Sequence, residues 1–139
     1  MPSLVTQVPC AESALALRHF EASFPFETDC WDVHESLARE PDFVLLDVRG
    51  AEAYARGHVP GAVHLPHAKI IESRLAAYPA ETVFVVYCAG PHCNGAQRAA
   101  LRLARLGRPV KLMIGGLTGW LDEGFAVERA RGEAVRAAG

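Results

Sequence analysis

The stretch TVFVVYCAGPHCNGAQRAALRLARLG, Thr82 to Gly107, holds three signals in one run. It opens on TVFVVYC, apolar and rich in β-branched and aromatic side chains, as in a strand buried on both faces. It closes on NGAQRAALRLARLG, a helical run with Asn94 at the N-cap and Gly107 just past the end. Between them lies a Gly/Pro turn that carries Cys88 and Cys93. Strand, glycine-bearing loop and helix in succession make one half of a βαβ unit.

The flanking sequence repeats the alternation. DFVLLDV is a second buried-strand run, GAVHLP a short strand, and PVKLMIGG a last one. Helical runs separate them. DVHESLAR opens on the capping-box pair Asp32 and Glu35, GAEAYARG ends at Gly57, HAKIIESRLAAY is stopped by Pro79, and GWLDEG closes the series. AESALALRHFEASF, ahead of Pro25, predicts an amphipathic helix carrying Leu15, Leu17, Phe20 and Phe24. The spacing predicts a three-layer α/β fold, with a mostly parallel central sheet of about five strands and helices on both faces. In such sheets ligands bind beyond the carboxyl ends of the strands. Cys88 stands at that end of the strongest strand.

A thiol at a strand end, facing loop amides and a helix N-terminus, sits in an anion site. That environment lowers a thiol pKa and yields the nucleophilic thiolate. The competing reading is a small buried cysteine that merely ends a strand.

Composition narrows the classes. The chain has 139 residues, half of them hydrophobic and 22% charged, which suits one globular domain with its own core. A net charge of −2 gives no electrostatic case for nucleic acid or an anionic membrane as partner. No apolar run reaches the roughly 18 residues that span a bilayer. MPSLVTQVPCAESALALRHF lacks the basic and apolar regions of a signal peptide, so the cytoplasm is the expected compartment. Cys10, Cys30, Cys88 and Cys93 are then free thiols rather than a disulfide framework, with Cys10 and Cys30 expected to be inert. Cys88 and Cys93 supply two ligands, and His92 is adjacent to Cys93 rather than suitably spaced. No metal and no cofactor are expected.

Three segments together, LLDVRGAEAYARGHVPGAVHLP, VVYCAG and MIGGLTGWLDEGFAVE, resemble the hallmarks of single-domain rhodanese-like proteins. The resemblance covers Glu27 to Val127. It rests on Asp47-Val-Arg49, the segment from Gly57 to Ala62, Cys88, and Gly115-Gly116 ahead of Trp120. It implies a sulfurtransferase in which Cys88 takes sulfane sulfur from thiosulfate or a small or protein persulfide. The Cys88 persulfide then passes it to a thiol or other nucleophilic acceptor, which can be a protein. The amides of the loop Ala89, Gly90, Pro91, His92, Cys93, Asn94, Gly95 and Ala96 (Pro91 excepted, having none) would hold the persulfide anion without a cofactor.

The loop departs from the family pattern. It is longer than usual and lacks the usual Arg or Lys, carrying only His92, with Arg98 in the first turns of the helix. Thiosulfate and persulfides are therefore equally plausible donors. Related phosphatases use Cys-x5-Arg, but Asn94 occupies that sixth position and Tyr87 precedes the cysteine, so a phosphate would lack its clamp. Three roles fit Cys93: a resolving cysteine, a second sulfur carrier, or a packed structural residue. Asp47 and Arg49 read as an ion pair that is architectural rather than catalytic, though it could orient the loop. His58 reads as a turn residue and Trp120 as core. Gly115-Gly116 suits close backbone passage near the loop. His92 is either a donor to an anion or a solvated loop residue. Arg98, Arg102 and Arg105 share one helix face, which is a solvated stripe or a dock for an acidic sulfur carrier. Two other functions compete with sulfur transfer: a Cys88/Cys93 thiol–disulfide switch and a non-catalytic interaction module. The expected organisation is a helical extension over residues 1–26, a rhodanese-like domain over 27–128 and a loosely docked tail over 129–139.

Overall fold

β2 (Phe43–Asp47) and β4 (Val83–Tyr87) form the centre of a sheet in a computed structural model that describes residues 1–130 and the backbone of Ala134–Val135. They run parallel, pairing Phe43 with Val83 and Asp47 with Tyr87. β5 (Val110–Met113) and β1 (Glu27–Thr28) extend the sheet on one side and β3 (Val63–His64) on the other. The order is β1-β5-β4-β2-β3, all parallel. The five-stranded α/β fold expected from the alternating runs is therefore present. β1 is the strand with no signal of its own, because two residues cannot show a period. It is recruited by pairing Glu27 with Leu112 and Thr28 with Met113.

Successive side chains of a strand point to opposite faces, and both central strands bury both sets. Leu46, Phe84, Val86 and the strand-end Cys88 enter one core with Ala99 and Leu103 of α5 (Gly95–Arg105) and Leu75 of α4 (Glu72–Leu75). Leu45, Val85 and Tyr87 enter the other with Cys30 and Val33 of α2 (Cys30–Leu37) and Trp120 of α6 (Gly116–Asp122). Helices thus cover both faces. Each fully buried apolar side chain contributes about 1.5–3 kcal/mol over exposure. A further helix, α3 (Ala51–Arg56), ends at Gly57 as expected.

α5 ends as its sequence signals. Gly107 takes φ +74°, its amide donates to Ala104 at 3.0 Å, and the amide of Arg108 donates to Leu103 at 2.9 Å. These bonds satisfy carbonyls the helix would otherwise leave open.

Several local expectations change. α2 starts earlier than the Asp32–Glu35 pair suggests: Asp29 is the N-cap and its Oδ1 accepts from the Asp32 amide at 2.8 Å. HAKIIESRLAAY forms a 3-10 turn, His67–Lys69, and then the short α4, because Ile70 and Ile71 are extended between them. That break lets Ile70 and Leu75 both reach the core. α1 (Ser13–Glu21) forms, but Leu15, Leu17 and Phe20 are all more than half exposed, so its apolar side meets no core among the described residues. Beyond α6, β6 (Val127–Glu128) pairs antiparallel with β7 (Ala134–Val135). The expectation of a loose tail otherwise falls mostly outside the described residues.

No helix among the described residues is long and apolar enough to cross a membrane.

Candidate active site

The site is built on the last residue of β4. Tyr87 is fully buried, and its hydroxyl donates to Asp47 Oδ2 at 2.6 Å while accepting from the Val59 amide at 3.0 Å. Asp47 also holds Arg49, whose Nη2 lies 2.6 Å from Oδ2 and donates to the Gly57 carbonyl at 2.6 Å. Burial alone would lower the Arg49 pKa, but the hydrogen bonds and charge of Asp47 raise it, so the guanidinium stays charged. Burial, then the Asp47 carboxylate, pushes the Tyr87 phenol far up and keeps it a donor. Asp47 and Arg49 therefore brace the end of β4 from behind. The sequence singles out both but not Tyr87, which joins them to the strand. Its signal is a phenol at the end of an otherwise aliphatic run, a buried position that needs a hydrogen-bond partner.

Cys88 follows directly. Its carbonyl accepts from the Leu117 amide at 2.9 Å, and the Ala89 carbonyl accepts from both the amide and the hydroxyl of Thr118, at 2.9 and 3.0 Å. The first turn of α6 thus holds the loop's first carbonyls. Gly116 makes this approach possible: a Cβ there would stand 2.5 Å from the Cys88 carbonyl oxygen. The close passage expected of the Gly pair is present. Thr118 is a further anchor that no sequence motif marks.

With its carbonyls held from one side, the loop turns amides inward. The Cys93 amide donates to Gly90 at 3.1 Å, closing a turn. The amides of Ala89 and Gly95 lie close enough to the sulfurs of both Cys88 and Cys93 to favour the thiolate of each. Asn94 occupies the N-cap position, yet its side-chain oxygen accepts from Arg98 Nε at 3.1 Å and caps no amide. Among the described residues no carbonyl accepts from the amides of Gly95, Ala96 or Gln97. The first turn of α5 therefore presents free donors to an anion.

The two thiols are neighbours. A Cβ on Gly95 would stand 2.7 Å from Cys88 Sγ and 3.6 Å from Cys93 Sγ, so the thiols lie side by side and each acts on the other's charge. Cys88 is buried and Cys93 half-buried. The sequence leads to a lowered Cys88, but the pair divides the effect. Burial first, then Cys93, raises Cys88, while the hydrogen bond from Cys88 and the Gly95 amide lower Cys93. Two neighbouring thiols resist double ionisation, so the first negative charge favours the less buried sulfur, that of Cys93.

Both sulfurs line a cleft of about 170 Å³ with Gly90, Ala96, Gln97, Ile114 and Gly116 among its walls. No Lys, Arg or His is among the described lining residues. His92 and Arg98 are exposed, and Arg102 and Arg105 are exposed further along α5. A larger cavity of about 520 Å³ lies along the edge of β2 among His34, Phe43, Pro60 and Trp120, but it holds no thiol or carboxylate. Chemistry, not volume, therefore marks the site.

The remaining residues have structural partners. His58 is buried, stacks on Tyr54 at 3.8 Å and bonds through Nδ1 to the Tyr54 carbonyl at 2.8 Å. Trp120 is buried and donates to Ala126 at 2.8 Å. Cys30 lies under the Gly115-Gly116 bend, donates to Gly116 at 3.5 Å and is pushed up to about 11, chiefly by burial. Cys10 is exposed in the N-terminal segment. Among the described residues no group of three or more His, Cys, Asp or Glu side chains could hold a metal ion.

The sequence matches the family model of the rhodanese-like domain over residues 31–123. The chain belongs to the rhodanese-like domain family. A thiosulfate sulfurtransferase of Pseudomonas putida is 34% identical over 70% of this chain and 86% of its own length. An HTH-type transcriptional regulator of Mycobacterium tuberculosis is 39% identical over 63% of this chain, which spans 38% of the regulator's length. A crystal structure of a Bacillus halodurans protein superimposes with a TM-score of 0.82 at 38% identity, covering 87% of this chain and 89% of that one. Sulfurtransferases are thus among its relatives, and so is a transcriptional regulator.

Proposed function

We propose that this rhodanese-like chain transfers sulfane sulfur and that Cys88 carries it. The observation behind this is the Cys88 thiol at the end of β4, with the Ala89 amide and the first-turn amides of α5, accepted by no carbonyl, close to its sulfur. In the proposed cycle the Cys88 proton passes to the neighbouring Cys93 as Cys88 attacks. A bond forms between Cys88 Sγ and the donor's sulfane sulfur, and the donor leaves as its thiolate or, from thiosulfate, as sulfite. The Cys88 persulfide is an anion, and the loop amides stabilise it as they would any anion at a helix N-terminus. A nucleophilic acceptor then takes the outer sulfur and returns the Cys88 thiolate, giving ping-pong kinetics.

The cleft favours a monoanionic persulfide over thiosulfate as donor. No cationic side chain is among its described lining residues, and the buried Arg49 guanidinium is already bound to Asp47. A dianion would lose its water with too few compensating charges.

Steady-state transfer to a thiol or cyanide acceptor tests both parts. The wild-type chain is expected to use a small-molecule persulfide with higher kcat/KM than thiosulfate, and Cys88→Ala is expected to lose transfer from either. Transfer that survives in Cys88→Ala would overturn the assignment of Cys88.

A further inference from the structure

We infer that Cys93 resolves the Cys88 persulfide, giving the site a second outcome in which sulfur is released as hydrosulfide rather than handed to an acceptor. The inference rests on the sulfurtransferase reading and says what happens when the acceptor is missing.

The geometry carries it. The turn closed by the Cys93 amide and Gly90 carbonyl brings the second thiol back over the start of α5. The two sulfurs lie 2.7 and 3.6 Å from where a Cβ on Gly95 would stand, the Ala89 and Gly95 amides act on both, and both cysteines line the same cleft. Glycine at 95 is what allows this, since any Cβ there would fall 2.7 Å from Cys88 Sγ. Cys93 is the more exposed of the two and stands beside Cys88 Sγ, the inner sulfur of a persulfide. Cys30 shows the contrast: it is buried and bonded to carbonyls, whereas Cys93 is half-buried and lines the cleft beside Cys88.

The step balances without any further reactant. Cys93 Sγ attacks Cys88 Sγ and a disulfide forms. The bond between Cys88 Sγ and the outer sulfur breaks, and the outer sulfur leaves with that electron pair. It takes the Cys93 proton, so Cys88-S-S⁻ plus Cys93-SH gives the Cys88–Cys93 disulfide plus HS⁻. The two cysteines are oxidised by two electrons and the sulfane sulfur is reduced by two. A thiol or dithiol reductant then restores the pair by exchange. The loop thus stays blocked after each release until a reductant acts.

The test is a single loading with a small-molecule persulfide and no acceptor, following sulfide release and peptide masses in the wild-type chain, Cys93→Ser and Cys93→Ala. The wild type is expected to release one hydrosulfide per chain and to lose two hydrogens across the peptide holding Cys88 and Cys93. Both variants are expected to load more slowly, release no sulfide and keep the added sulfur on Cys88 at least about ten-fold longer. Equal persulfide lifetimes in wild type and variants would overturn the proposal while leaving Cys88 as carrier. Added sulfur on Cys93 would also overturn it, showing attack on the outer sulfur. No sulfur taken up by any chain would overturn the sulfurtransferase reading and the proposal with it.

Discussion

Gly116 passes so close beneath Cys88 that a Cβ on it would stand 2.5 Å from the Cys88 carbonyl oxygen. The same residue has φ +59°, where an L side chain is strained. Gly116→Ala is therefore expected to lose at least about 2 kcal/mol, from left-handed strain and from displacement of the loop. Sulfur transfer should fall about ten-fold or more as the amides lose their aim. Urea unfolding and kcat/KM check the two parts separately, and a stable, fully active variant would contradict the packing described.

Gly95→Ala probes the other side of the loop. Its Cβ would meet Cys88 Sγ at 2.7 Å, and that sulfur can swing away on one side-chain rotation. Stability should change little, because alanine suits a helix better than glycine. Sulfur uptake is expected to drop about ten-fold or more, because the thiol leaves the Ala89 and Gly95 amides. A drop in stability without a drop in uptake would show that the sulfur position matters less than the helix start.

Tyr87→Phe removes one hydroxyl from a buried network. It leaves Asp47 short of a donor and the Val59 amide without its acceptor. Unsatisfied buried groups cost about 1–3 kcal/mol, and that is the expected loss in a urea titration. Loss below about 0.5 kcal/mol would mean that the network relaxes around the gap.

Stability at alkaline pH should carry the mark of Cys30. Its folded pKa is about 11 against an ordinary 9.0, so between those values the folded chain holds a proton the unfolded chain has released. That contribution is complete below pH 9 and is lost as pH rises toward about 11. Tyr87, also raised by burial, acts in the same direction at higher pH. Cys30→Ala should flatten the fall between pH 9 and 11, read by urea unfolding along a pH series. The Cys30 thiol of the native wild type should also resist alkylation that modifies exposed Cys10.

The sheet was legible because its central strands are long apolar runs, and Phe43–Asp47 and Val83–Tyr87 fall inside DFVLLDV and TVFVVYC. β1 was not legible, since Glu27–Thr28 is ordered by its neighbour rather than by its own composition. The true cap of α2, Asp29, was hidden behind the more regular Asp32–Glu35 spacing. The position of Cys88, at the end of a strand and ahead of a helix, was legible. The direction of its pKa shift was not, because that depends on which groups lie nearby, and Cys93 is brought close through the turn at Gly90. The Leu117 and Thr118 donors were out of reach for the same reason, since they lie nearly thirty residues from the loop they hold.

The central claim is that Cys88 carries the sulfur, and the most direct measurement is a peptide mass after rapid acid quench. The wild-type chain is mixed with excess small-molecule persulfide, acceptor omitted, and fragmented between Cys88 and Cys93. One added sulfur on Cys88 at early times is the expected result. Sulfur found only on Cys93, or on neither cysteine, would contradict the account.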